Sequence, residues 1–235
     1  CTDIAQQLHA GYLYAVEFVE MESRDAGELG FHGNAIISQL ECATPFLVRM
    51  ADDGLWRTGE RRARRHGSRI ALATRVLLDG QPVVVVTTHL ESHTMPAERA
   101  AQMQALVHAI DDYADGDPVL LGGDFNTRTA AKDDLRDRAS RLQLLHDAPT
   151  TFTRPAPREP LFEIAARAGY EWVAANTDMP TERAKHPVDD TPRFRLDWFF
   201  ARGLVCGNPG LMKAESDAGV ALSDHDAITL DIRLP

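Results

Sequence analysis

Apolar and polar residues along this chain fall mostly into short alternating or continuous runs bounded by turn signals, the pattern of strands. Near the start, Ile4 and Leu8 lie four apart behind Thr2-Asp3, which predicts a short capped helix over residues 2–8, ended by Gly11. Residues 12–19 read as a strand, 21–30 as a polar, acidic surface loop, and 35–38 as a short strand entered through His32-Gly33-Asn34. Residues 45–50 form another strand before the turn signal Asp52-Asp53-Gly54. Residues 70–78 and 83–88 flank Asp79-Gly80, the pattern of an antiparallel hairpin, and the unbroken valines 83–86 predict a strand buried on both faces.

Helical period returns at residues 97–113, with Pro96 at the first helical position and Ala101, Leu106 and Ile110 on the inner face. Residues 119–123 follow as a buried strand ending in Gly122-Gly123. A polar helix is expected over residues 130–145 and a short one over 161–168, with an irregular Pro/Thr/Arg-rich segment at 150–160 between them. Residues 177–192 form a long proline-bearing loop, of a length typical of lids and substrate walls. Strands at 194–201 and 226–234 complete the chain. With no repeat, low-complexity tract or linker, residues 1–235 read as a single α/β domain.

Composition narrows the function more than the fold. At 235 residues and 44% hydrophobic, the chain can bury a substantial core, and no apolar run is long enough to cross a bilayer. The net charge of −10 argues against coating nucleic acid by long-range attraction. It leaves room for an enzyme that grips one phosphate locally. Cys1, Cys42 and Cys206 are far apart and show no zinc spacing, so reduced thiols or a single disulfide both fit. The chain opens on Cys1 rather than Met, and a processed chain or a fragment is expected; a soluble protein, cytoplasmic or secreted, fits either way.

Candidate chemistry gathers at strand ends. In Gly123-Asp124-Phe125-Asn126, alternation puts Asp124 and Asn126 on one side and Phe125 on the other, toward the core. A carboxylate beside a carbonyl oxygen suits a Mg²⁺-type ion holding a phosphate, and the same residues also suit a plain turn. His89 ends the valine strand, where it serves either as a structural hydrogen-bonding group or as a site residue at the same sheet edge. Asp197 lies among aromatic residues and needs a partner. His225 can supply one if residues 223–226 form an irregular turn, and Asp197 would then fix its tautomer and favour its charged form. The basic run at residues 59–69 is a solvated loop or a site mouth, with Arg61, Arg65 and Arg69 as the candidate substrate contacts. Asn34 reads as a turn residue or a further substrate contact.

Thr88-His89-Leu90, Gly123-Asp124-Phe125-Asn126, Arg195-Leu196-Asp197-Trp198 and Ser223-Asp224-His225, in this order, resemble the endonuclease/exonuclease/phosphatase superfamily. Its members include pancreatic-type deoxyribonuclease, AP endonucleases, neutral sphingomyelinases and inositol polyphosphate 5-phosphatases. Gly33-Asn34-Ala35-Ile36 is similar to the family's Gly-Asn-Ala segment, and His89-Leu90-Glu91-Ser92 with Ala97-Glu98-Arg99 is similar to its 5′-tyrosyl-DNA phosphodiesterase branch. The resemblance implies a four-layer α/β sandwich, two mixed β-sheets packed face to face and flanked by helices. It also implies a Mg²⁺-dependent phosphoester hydrolase, with Mn²⁺ as a substitute, acting on nucleic acid or on a small or lipid phosphodiester; separately, a monomer is expected.

In that reading Asp124 positions or deprotonates the attacking water and Asn126 holds a metal or phosphate oxygen. Asp224 helps bind the metal, His225 donates to the phosphoryl oxygen with support from Asp197, and His89 stabilises phosphoryl charge. The family begins with one strand carrying an Asn and another carrying a metal-binding Glu, both ahead of a helix like residues 2–8. Neither is found here, and Glu17 and Glu20 fall after that helix. The expectation is therefore a chain lacking its natural amino-terminal part. The alternative function is a non-catalytic binding module of the same fold with an incomplete metal site.

Overall fold

A computed structural model describes residues 1–20, 30–51, 65–135, 137–183 and 191–235. In chain order the elements are α1 (Thr2–Gln7), β1 (Gly11–Glu20), β2 (Gly30–Ser38), β3 (Phe46–Arg49), β4 (Arg65–Gly67), β5 (Ile70–Leu78) and β6 (Gln81–His89). Then come α2 (Pro96–Ala114), β7 (Val119–Asp124), α3 (Arg138–Asp147), α4 (Leu161–Arg167), β8 (Asp197–Arg202), β9 (Val205–Met212) and β10 (Ala227–Arg233). Two 3₁₀ turns, Pro149–Phe152 and Ala156–Arg158, precede α4.

Five strands in the order β3-β5-β6-β7-β8 make the principal sheet. Only β6 and β7 run parallel, because α2 carries the chain back between them; every other neighbouring pair is antiparallel. One face of this sheet is closed by α2 and α4. Met103, Leu106, Val107, Ile110 and Ala114 of α2 meet Val84, Val86, Val119 and Leu121 of the strands, joined by Leu161, Phe162 and Ala165 of α4. Each such large apolar side chain stabilises the fold by about 1.5–3 kcal/mol on full burial. Ala101, expected on the inner face of α2, is exposed, because the buried stripe runs through residues 99, 103, 106, 110 and 114 instead.

The opposite face meets two smaller antiparallel sheets, β2-β1-β4 and β10-β9, which gives a layered α/β sandwich. Among the described residues β2 and β10 each keep one edge without a strand partner. Between them lies a cleft of about 420 Å³, walled by Ile36, Ile37, Ala227 and Ile228 and floored by Val85, Thr87, Leu120 and Phe199. The valine strand is therefore buried throughout on one face and in part on the other. Val84 and Val86 are buried against α2; on the opposite face Val83 is also fully buried, whereas Val85 and Thr87 are half-buried under the cleft.

Other elements differ from the sequence pattern for local reasons. The polar helix begins at Arg138 rather than near residue 130, because the Asp137 side chain accepts the Ser140 N–H at 2.9 Å and caps it there. Strand β8 starts at Asp197, since Phe194 and Leu196 turn aside to pack with Phe152 and Leu135 in a second small core. Strand β9, with Gly207-Asn208-Pro209-Gly210 inside it, has no counterpart in the hydrophobic pattern. Of the polar loop expected at 21–30, residues 21–29 lie outside the described residues, as do Asp52-Asp53-Gly54 and residues 184–190 of the long loop.

Candidate active site

Strand register builds the site. His89 at the end of β6 stands opposite Asp124 at the end of β7, and Asp124 stands opposite Asp197 at the start of β8. Three residues far apart in sequence thus form one lateral row at a single sheet edge. The row is close-set because Gly123 has no side chain: with φ at +149°, a Cβ there would lie 1.9 Å from the Thr88 carbonyl oxygen. Phe125 turns into the core at 0% exposure.

Thr181 brings the fourth residue in. Its buried hydroxyl accepts N–H groups of Leu196 and Asp197 at 2.9 and 3.2 Å, and its carbonyl accepts the Asp226 N–H at 2.8 Å. The 223–226 segment is an irregular turn in which the Ser223 hydroxyl accepts the His225 N–H at 3.1 Å. His225 Nδ1 consequently lies 2.8 Å from Asp197 Oδ2, which leaves Nε2 for a ligand.

The two histidines are held in opposite charge states. Burial alone would lower the His225 pKa, but the Asp197 hydrogen bond and the charges of Asp124, Asp197 and Asp224 outweigh it and raise the value to about 9. His89 is pushed down to about 3 by its packed surroundings and by the positive charges of Arg69, His225 and Arg65, against the pull of Asp124. Its Nε2 lies 3.4 Å from Asp124 Oδ2, a contact between a neutral ring and a carboxylate at neutral pH.

Asn126 is 2% exposed and fully engaged. Its backbone N–H donates to Asp124 Oδ1 at 2.8 Å, its amide Nδ2 donates to the Leu90 carbonyl at 2.9 Å, and its Oδ1 accepts from Arg128. Its N–H thus orients Asp124, while its amide oxygen, which has a second lone pair, is already bonded to one guanidinium. Asp224 is exposed and lies outside the tightest donor group. That group is Asp124, Asp197 and His225, each offering one atom, all within 4.8 Å of one another. Two hard carboxylates fit a Mg²⁺-type ion, which completes its shell with water; imidazole is a ligand Mg²⁺ takes less readily, and His225 Nδ1 is already committed to Asp197.

The other candidates have different surroundings. Arg69 is 5% exposed and donates to Glu17 at 2.7 Å and to Glu91 at 3.2 Å. It braces the loop after His89, where Glu91 also accepts the Ser92 and His93 N–H groups at 2.9 and 3.1 Å. Arg65 stacks over Phe18 at 4.2 Å and lies 3.7 Å from Glu91. Asn34 donates to the Ile70 carbonyl at 3.0 Å, one strand in from the site. Arg61 lies outside the described residues.

Two residues near the site carried no signal in the hydrophobic pattern. Arg128 is 3% exposed, donates to Asn126 and lies 3.7 Å from Glu182. Lys132 sits on the turn beyond it, tied by its backbone N–H to the Ser92 carbonyl at 2.9 Å. Cations that follow a turn ordinarily read as solvated, and only the fold shows that these two border Asp124.

Known structures share this fold at low sequence identity. No curated protein matches the sequence. Among solved structures, an endonuclease/exonuclease/phosphatase from Beutenbergia cavernae superposes with a TM-score of 0.62 at 18% identity, over 95% of this chain and 53% of that one. The chain thus spans about half of that protein's length. The human Nocturnin catalytic domain with bound sulfate gives 0.63 at 15% identity, over 100% and 75% of the two chains. D. rerio TDP2 complexed with a single-strand DNA product gives 0.57 at 18% identity, over 99% and 81%. The profile of the Endonuclease/Exonuclease/phosphatase family matches residues 5–225. The chain belongs to that family.

Proposed function

We propose that this protein is a divalent-metal-dependent phosphodiesterase of nuclease type, in which water attacks a phosphodiester. The observation that carries this reading is the row His89–Asp124–Asp197, with His225 held against Asp197 at 2.8 Å. Phosphoryl transfer needs an oriented oxygen nucleophile and positive charge beside the non-bridging oxygens. Asp124, oriented through the Asn126 N–H, offers a carboxylate oxygen to hold or deprotonate the attacking water. His225, kept protonated by Asp197, donates from Nε2 to a phosphoryl oxygen. Neutral His89 gives a second, uncharged hydrogen bond beside Asp124. Asp124 and Asp197 would hold the cation, which supplies Lewis-acid neutralisation of phosphoryl charge.

Turnover of bis(p-nitrophenyl) phosphate in Mg²⁺, in EDTA, and by His225→Ala tests this proposal. The expected result is activity in Mg²⁺, none in EDTA, and a loss of about 10²–10³-fold in the variant. Equal rates for the variant and the parent chain would overturn it. The small donor set, with Asn126 engaged by Arg128, favours one second reading: a binding module of the same fold. Cation binding by calorimetry accompanied by turnover would refute the module.

A further inference from the structure

A phosphodiester site needs cations for its substrate, yet among the described residues nearly every guanidinium around this one is committed to the protein. Arg69 bonds Glu17 and Glu91, Arg141 bonds Glu182, and Arg128 bonds Asn126. Arg183 pairs with Asp226 and Glu215, and Arg195 bonds Asn176, Thr177 and the Met179 carbonyl. Lys132 differs. Its side chain is exposed, and among the described residues no carboxylate pairs with its ammonium within 4.0 Å.

Its position is nonetheless fixed. The backbone N–H is bonded to the Ser92 carbonyl at 2.9 Å, and next to it Asp133 holds His93 Nδ1 at 2.8 Å. The loop after β7 is thereby tied to the loop after β6 at the same sheet edge. From there the ammonium interacts electrostatically with Asp124 and Asp224, on the rim between the end of β7 and the 223–226 turn. An ammonium is a compact point charge with three rotatable donors, suited to a phosphate that it does not need to grip in a fixed plane.

We propose that Lys132 is a specificity residue which binds a second phosphate of the substrate, next to the scissile one. The enzyme would thereby prefer a chain of phosphodiesters to an isolated ester. This inference rests on the phosphodiesterase reading above.

The test uses the whole chain with Lys132→Met and Lys132→Arg, and two substrates: a short single-stranded oligonucleotide and bis(p-nitrophenyl) phosphate, which has one phosphate only. Lys132→Met is expected to raise KM for the oligonucleotide about tenfold with kcat within about twofold, and to leave the single-phosphate ester unaffected. Lys132→Arg should retain most of the preference. Anisotropy of a labelled trinucleotide in EDTA gives a readout without turnover: the log–log salt dependence of binding should lose about one unit in the Met variant. An unchanged oligonucleotide KM and salt slope would overturn the role of Lys132. So would an equal loss of kcat on both substrates, since that would place the ammonium on the scissile group. Absence of turnover by the parent chain on both substrates would instead sink the phosphodiesterase reading, while the salt slope would still decide for or against Lys132.

Discussion

Asp197 and His225, 28 residues apart in sequence, meet at 2.8 Å through Oδ2 and Nδ1. The contact ties the first residue of β8 to the turn before β10 and makes folding depend on the charge of one imidazole.

The sign of that dependence follows from the shift. Folding raises the His225 pKa from 6.5 to about 9, so the native state binds the proton more tightly than the unfolded chain. The resulting stability is fully present below pH 6.5 and is lost as pH rises through about 9. At about 1.4 kcal/mol for each tenfold change in proton affinity, this contribution is on the order of 3 kcal/mol. Urea unfolding in EDTA between pH 6 and pH 10 should show this decline, and Asp197→Asn should flatten it. A pH-independent midpoint in the parent chain would refute the assignment.

Arg128 and Asn126 form the second coupling. Arg128→Ala releases Asn126 Oδ1 and removes a cation from beside Glu182. The Asn126 side chain, bonded to Arg128 and to the Leu90 carbonyl, fixes the backbone N–H that holds Asp124, so loosening it should lower turnover about 10–100-fold with little change in KM. Asn126→Ala should cost a similar amount, and the double variant scarcely more than either one, because the two act as a unit. Additive losses would show that Arg128 acts elsewhere.

Part of the geometry at this sheet edge is legible in the sequence. Alternation along an extended backbone separated Asp124 from Phe125, and a carboxylate among aromatic residues required a partner, which His225 is. The lateral row was not legible, because register between β6, β7 and β8 is set by side-chain packing across strands distant in sequence. The commitments of the polar residues were hidden for the same reason. Arg69 looks like one more member of a basic run, and only Glu17 on β1 and Glu91 after β6 show why it is buried. The bond from the buried Arg128 to the Asn126 amide oxygen is equally invisible in the sequence, where Arg128 reads as a solvated cation after a turn. Strand β9 is hidden in the sequence because Gly207, Pro209 and Gly210 mimic a loop.

Arg99 and Glu159 are both fully buried and paired at 2.6 Å, and the Thr129 N–H adds a bond to Glu159 at 2.7 Å. This pair fastens α2 to the loop leaving the site. Removing one partner strands the other charge in a dry interior, so Glu159→Gln or Arg99→Met should each destabilise by about 3–5 kcal/mol. Joint replacement by Met and Leu should recover most of the loss. Denaturant melts of the three variants check this, and a harmless single substitution would contradict it.

The edges of β2 and β10 that have no strand partner among the described residues carry the last expectation. Ile36, Ile37 and Ile228 wall a cleft whose floor, Val85 and Leu120, is only half-buried. Apolar surface between two unpaired strand edges is a template for pairing with another extended segment. The 235-residue chain should therefore bind a hydrophobic dye such as ANS and associate as its concentration rises, away from the expected monomer. Ile37→Lys together with Ile228→Lys places two charges in the trough, whose lining also reaches Asp197 of the site row, so the readouts are dye binding and association rather than turnover. Dye fluorescence should then fall several-fold and sedimentation should shift toward monomer. Identical dye binding and sedimentation before and after the double substitution would show that the trough is closed in solution.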